Sequence, residues 1–195
     1  LTGINEKPNQ LTLSQLTKLT IHENKQTATI VSFDDYLAAA QKLNQRLMIE
    51  IKPNKEDSPE MLTNFLNKYQ DKILKAGHVI QSLSYDIIEQ IKELSPAVTA
   101  GYIMPFSLVG PPTGKMDFLT IEYTTLNAKF IDSAHAQGKQ VFAWTPNDED
   151  TMSRMQFYGV DGIITDQMQV LNQTFKGTTR LNYSDQLFFF TIGIG

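Results

Sequence analysis

The chain of 195 residues has no cysteine, which excludes disulfides, thiolate nucleophiles and Cys-based zinc sites. It has no apolar run of the roughly 18–20 residues that a membrane-spanning helix needs. It has no surplus of positive charge: 17 Lys and Arg against 21 Asp and Glu give a formal charge of −4. Nothing in that balance draws the whole chain to nucleic acid or anionic lipid, and no nucleic-acid partner is expected. A Gly-x-Gly-x-x-Gly or Walker-type loop is also missing after every apolar run, so nucleotide-binding sheets lose support. Hydrophobic residues at 41% with 11 Gly and 8 Pro describe an ordinary globular composition.

What is present is an alternation. Short apolar, β-branched runs are each followed by a stretch with helical spacing. Expected strands are Leu47–Lys52, His78–Ser82, Val98–Met104, Phe118–Tyr123, Gln140–Trp144 and Val160–Thr165. Expected helices run from Ser32 and Asp35 through Leu43, from Ser58 to Gly77, from Ser84 to Leu94, from Thr125 to Gln137, from Asn147 to Tyr158 and from Met168 to Phe175. Ser32 and Ser58 are of the N-cap type, and Gly77, Gly138 and Gly159 are of the stop type. Strands that alternate with helices pair in parallel through right-handed crossovers, in an open doubly wound sheet or a (β/α)8 barrel. A barrel takes about 250 residues and eight strands. Six are readable here. Residues 1–31 are polar, with one helical stretch at Thr12–Leu19 and no sign of two further strands. The expectation is an α/β fold of the TIM-barrel type that lacks about its first two βα units. The tail from Gly177 to Gly195, with its run Leu187-Phe188-Phe189-Phe190, falls outside the repeat. It reads as a segment docked on the domain or as an exposed contact, which sets residues 1–176 as one partial barrel domain and 177–195 as a C-terminal extension.

Glu50 and Lys52 are the most informative residues. They lie two apart at the carboxyl end of an apolar strand, so they share a face. With Leu47, Ile49 and Ile51 turned to the helices, Met48, Glu50 and Lys52 point inward, to the end where barrels build their sites. A structural ion pair is the competing reading. A carboxylate there suits a base or a ligand to a hard cation. Trp144, which ends another strand, reads as a pocket wall or a core residue. Asp166 reads as a helix cap or a chemical group. His22, His78 and His135 are scattered, and each reads as structural or solvated. No general acid and base stand out.

Five segments, in this order and spacing, resemble the glycerophosphodiester phosphodiesterase family: Leu47-Met48-Ile49-Glu50-Ile51-Lys52-Pro53, Gln81-Ser82, Ala134-His135-Ala136-Gln137-Gly138, Val141-Phe142-Ala143-Trp144-Thr145 and Gly159-Val160-Asp161-Gly162-Ile163-Ile164-Thr165-Asp166. The resemblance covers about residues 10–175. It implies a (β/α)8 barrel that hydrolyses glycerophosphodiesters to glycerol 3-phosphate and an alcohol with Ca²⁺ or Mg²⁺. It implies that Glu50 is one of three metal carboxylates, that Lys52 contacts the phosphate and that Trp144 lines the glycerol side. The family's His-Arg-Gly, Glu-x-Asp and His-Asp motifs, which hold the catalytic histidine pair and the other two carboxylates, do not occur in this sequence. The implied parent is therefore the enzyme, with this chain as its C-terminal three-quarters and inactive alone. The alternative is a non-catalytic relative that acts as a binding or interaction module. Some family members carry an N-terminal membrane region, so a cytoplasmic parent and a membrane-anchored or extracellular bacterial one both stay open. Open sheet edges suggest self-association.

Overall fold

The computed structural model describes residues 2–23, 26–106, 109–176 and 190–194. The leading segment holds a short 3₁₀ turn at Pro8–Gln10 and a one-turn helix α1 (Leu13–Leu16). Thr12 caps α1, its hydroxyl accepting from Gln15 N. Strands β1 (Thr20–Glu23) and β2 (Gln26–Thr29) follow and pair antiparallel. This corrects the expectation that no strands lie before residue 31. The hairpin stands apart from the main sheet, and β2 is exposed throughout. Its Thr- and Gln-rich strands lack the apolar alternation that marks a half-buried strand.

The repeat then runs α2 (Phe33–Lys42), β3 (Leu47–Ile51), α3 (Met61–Ala76), β4 (Val79–Ser82), α4 (Tyr85–Leu94), β5 (Ala100–Met104), β6 (Phe118–Glu122), α5 (Ala128–His135), β7 (Gln140–Trp144), α6 (Glu149–Tyr158), β8 (Gly162–Ile164), α7 (Met168–Thr174) and β9 (Phe190–Ile194). Ser32 caps α2 as its position implies, and Ser84 caps α4. Ser58 does not cap α3: its hydroxyl accepts from Glu60 N in the preceding turn, and the helix begins at Met61. Gly77 ends α3 at φ +64°, a conformation only glycine adopts without strain.

The six anticipated strands form a parallel sheet in the order β8-β7-β6-β5-β4-β3, and β9 adds a seventh beside β3. β9 is parallel to β3, with Leu47 opposite Phe190 and Ile51 opposite Ile194. β8 and β9 are the two ends of the sheet, so the barrel is incomplete.

The outer face of the sheet and the helices share one core that includes Leu47, Ile49, Ile51, Ile80, Leu119, Ile121, Ile88 and Ile131. The inner face holds a second, smaller core of Met48, Val79, Phe118 and Phe142, with Ile164 packed on it. Two glycines make that inner layer possible. A Cβ on Gly101 would lie 2.0 Å from the Phe118 ring, and one on Gly162 would lie 2.6 Å from the Phe142 ring. The two rings meet edge to face at 5.4 Å.

Candidate active site

The two ends of the sheet are built differently. At the amino end, polar side chains clamp the starts of the strands. His78 Nδ1 accepts from Leu47 N at 3.2 Å, and Arg46 Nε donates to Gly77 O at 2.8 Å. Asp117 accepts from Ala100 N at 2.8 Å and from Lys92 Nζ at 2.8 Å. Asp161 accepts from Val141 N at 2.7 Å and pairs with His135 Nε2 at 2.8 Å. His78 and His135 thus serve β-strand termini, and His22 lies in β1 of the hairpin. Burial, reinforced by the nearby Arg46 charge, holds the His78 imidazole below its usual pKa of 6.5. The neutral ring is the form that can accept from Leu47 N.

Above the inner core, the carboxyl end opens into a pocket of about 220 Å³ lined by Glu50, Gln81, Leu83, Ile103, Thr120, Trp144, Thr145 and Ile164. Period-two alternation puts Glu50 over Met48, Gln81 over Val79, Thr120 over Phe118 and Trp144 over Phe142. Glu50 is buried, with a side chain 11% exposed. Lys52 follows the end of β3 with a side chain 59% exposed, and its Nζ stands 3.8 Å from Glu50 Oε1. That separation is a loose ion pair rather than a hydrogen bond, and it leaves both charges available to a ligand.

Trp144 Nε1 is buried with no hydrogen-bond partner among the described residues. A buried indole N–H normally finds an acceptor, and leaving one unpaired costs about 1–3 kcal/mol. The strap after Trp144 is tied down. Asn147 Oδ1 accepts from Thr165 Oγ1 at 2.8 Å and from Asp166 N at 3.0 Å, and Asn147 Nδ2 donates to Asp166 Oδ2 at 3.2 Å. Asp166 therefore secures this strap. The cap position of α7 belongs to Gln167, which makes no side-chain cap bond.

Gln81, quoted only as part of a family-like segment, and Thr120 are site residues to which the reading of the sequence gave no role. Gln81 stands opposite Glu50 in the β3–β4 register, and Thr120 Oγ1 donates to Gln81 Oε1 at 2.9 Å. The available signal was an uncharged polar residue within an otherwise apolar strand, in phase with Glu50.

Comparisons with known proteins agree with this geometry. The model of the Glycerophosphoryl diester phosphodiesterase family matches residues 1–170. The chain belongs to this family. YhdW of Bacillus subtilis (strain 168), provisionally named a glycerophosphodiester phosphodiesterase, is 30% identical over 129 residues, which are 62% of this chain and 52% of YhdW. The chain thus spans about half the length of that relative. A protein of Silicibacter pomeroyi described provisionally as a glycerophosphoryl diester phosphodiesterase superposes with a TM-score of 0.75 at 17% identity, covering 89% of this chain and 70% of that one. An Oleispira antarctica phosphodiesterase, solved with its product sn-glycerol-3-phosphate, superposes at 0.68 with 19% identity, covering 85% of this chain and 71% of that one. At these identities, both structures speak for the fold: they are about two-fifths longer than the part matched, as an incomplete barrel requires.

Among the described residues, no group of three His, Asp or Glu is placed to hold a metal ion. Glu50 is an oxygen ligand of the type a hard cation takes. One carboxylate falls short of the three that the family resemblance implies, so these residues alone do not make up a complete cation site.

Proposed function

We propose that the protein to which this chain belongs hydrolyses glycerophosphodiesters to glycerol 3-phosphate and an alcohol, with residues 1–176 as the carboxyl-terminal part of its barrel and 177–195 as an extension. The observation that carries the reading is the mouth of the sheet: a buried carboxylate with a solvent-facing ammonium beside it, at a pocket that Trp144 helps to line, in a chain of this family. In this reading Glu50 is one of the ligands of a divalent cation, Ca²⁺ or Mg²⁺, with the others supplied by residues this chain does not contain. Lys52 takes a phosphoryl oxygen: its amine is charged, largely exposed and placed at the rim, where an anion arrives without burial. Trp144 walls the glycerol side. When bound, the cation would offset phosphate charge. The residues present here hold the substrate rather than move its protons, since none of the three histidines reaches the pocket. The 195-residue chain is accordingly inactive alone.

The test uses the parent protein with a glycerophosphodiester and either cation. Release of glycerol 3-phosphate is expected. Glu50→Gln keeps the shape of the side chain and removes its charge, so cation affinity by calorimetry and turnover should fall together. Lys52→Met should lower turnover while cation affinity is kept. Unchanged cation affinity in Glu50→Gln would sink the ligand assignment, and a parent that releases no glycerol 3-phosphate would leave the family's fold serving as a binding module.

A further inference from the structure

We propose that the amino end of the sheet, at the turns that lead into β3, β4 and β5, is a docking surface for an anionic lipid bilayer. This surface lies at the end opposite the pocket and does not depend on what the pocket binds.

Each helix runs back along the parallel sheet, so its end meets the start of the next strand. α2, α3 and α4 end in this way beside three neighbouring strands, and the end of each leaves one leucine in water. Leu43 is 74% exposed, Leu74 42% and Leu94 53%. The three turns are tied together. Arg46 Nε donates to Gly77 O, which joins the first turn to the second, and Ser95 Oγ donates to Gln70 Oε1 at 3.0 Å, which joins the third to α3. Ala76, Pro96 and Ala97 are also exposed there. Single exposed leucines are ordinary on a protein surface, whereas three on linked, adjacent turns form a patch. The next helix-to-strand turn, between α5 and β7, exposes Ala136, Gln137 and Gly138 and no large apolar residue, so the patch ends before it.

Charge decides what covers the patch. Residues 42–46, 74–77 and 94–97 hold Lys42, Arg46 and Lys75 and no acidic residue, in a chain whose formal charge is −4. Lys42 and Lys75 are exposed. No ion pair among the described residues includes any of the three. The acids nearest in sequence are Asp71, one turn back on α3, and Glu93, which pairs with Lys115 at 3.6 Å. A second copy of this chain would bring the same positive face to a two-fold contact and be repelled. An anionic bilayer attracts it: the basic side chains reach the headgroups while the leucines enter the apolar boundary. Docked in this way, the chain opens its pocket away from the bilayer, toward water.

The test is co-sedimentation of the 195-residue chain with vesicles of phosphatidylcholine alone and of phosphatidylcholine mixed with phosphatidylglycerol. The chain should bind the mixed vesicles, release them as salt rises, and bind phosphatidylcholine alone about tenfold more weakly or less. The triple variant Leu43→Ser/Leu74→Ser/Leu94→Ser should lose about tenfold in binding to the mixed vesicles, and Lys42→Glu/Lys75→Glu at least as much. All five positions are exposed, so both variants should melt close to the natural chain. Should the leucine variant melt early, the charge variant, which alters no apolar residue, decides alone. Phe106 follows β5 at the opposite end and is 58% exposed, and Phe106→Ser should bind as the natural chain does. The proposal is overturned by no binding to the mixed vesicles, by equal binding to both kinds, or by unchanged binding in the charge variant. A loss in Phe106→Ser as large as in the leucine variant would turn the mouth to the lipid and overturn it as well. So would a dimer, seen by sedimentation without lipid, that the leucine variant dissolves, since the face would then belong to a second copy.

Discussion

Position along each strand decides what a residue does. His78 begins a strand, at the end away from the pocket, and its consequence is thermodynamic. Its imidazole has a folded-state pKa below the unfolded value of 6.5, through burial and then the Arg46 charge. Between those two values the unfolded chain binds more protons than the folded one, so stability rises with pH. The contribution is therefore complete above pH 6.5 and declines as pH falls toward the folded-state value. Protonation would also turn the acceptor facing Leu47 N into a donor. Melting curves should drop more steeply between pH 7 and pH 5 for the natural chain than for His78→Asn, which offers a non-titrating acceptor; parallel curves would remove His78 from the account. Glu50 and Lys52 carry the opposite logic. A loose pair at 3.8 Å with one partner mostly in water adds little stability. Glu50→Gln and Lys52→Met should each shift the melting temperature by less than a few degrees. A large drop in either would restore the structural ion pair that the sequence left open.

Among the elements, the interior layer has the least tolerance. Phe118 and Phe142 fill the space that Gly101 and Gly162 leave, and Phe118 lies as close as 2.0 Å to where a Cβ would stand on Gly101. Gly101→Ala must displace the ring or the strand, and overpacking of this kind costs typically about 1–3 kcal/mol. The melting temperature of Gly101→Ala should fall, and Phe118→Leu in the same chain should recover part of the loss; additive losses would show that the two do not compete for space. The same layer shows what a sequence carries. Six strands were legible because each is an apolar run cut off by Pro, Gly or a polar cluster, and the inward turn of Glu50 followed from the period of two. The β1–β2 hairpin was not legible, because an exposed strand has no apolar face to display. Gln81 was quoted for its family resemblance, yet its partner Thr120 is 39 residues away and no local pattern joins the two. Asp161 and His135 likewise stood in separate matching segments, and only the fold reveals that they pair with each other beneath β7.

For the molecule as a whole, the decisive feature is an open sheet with its chemistry at one end. β8 closes the series on one side, and β9 pairs with the flank of β3 on the other. β3 is the strand that carries Glu50, so the backbone beside the proposed cation ligand is already paired by the tail. In the complete barrel that the family resemblance implies, the strands contributing the remaining carboxylates and histidines come before β3. Seating them beside β3 requires β9 to leave. The 195-residue chain should therefore show two properties together. It should release no glycerol 3-phosphate from a glycerophosphodiester, because positioned acid and base groups are worth about 10²–10⁴-fold each and no histidine of the described residues lines this pocket. Removing residues 187–195 should lower the hydrogen-exchange protection of β3 and increase association of the chain, because an uncovered strand edge offers its donors and acceptors to the next molecule. Exchange rates in β3 that do not change on truncation would show that β9 does not guard this edge. Glycerol 3-phosphate release by the purified chain, at a rate close to that of a full-length relative, would show that the pocket between β3 and β8 contains an acid and a base, against the placement of its histidines.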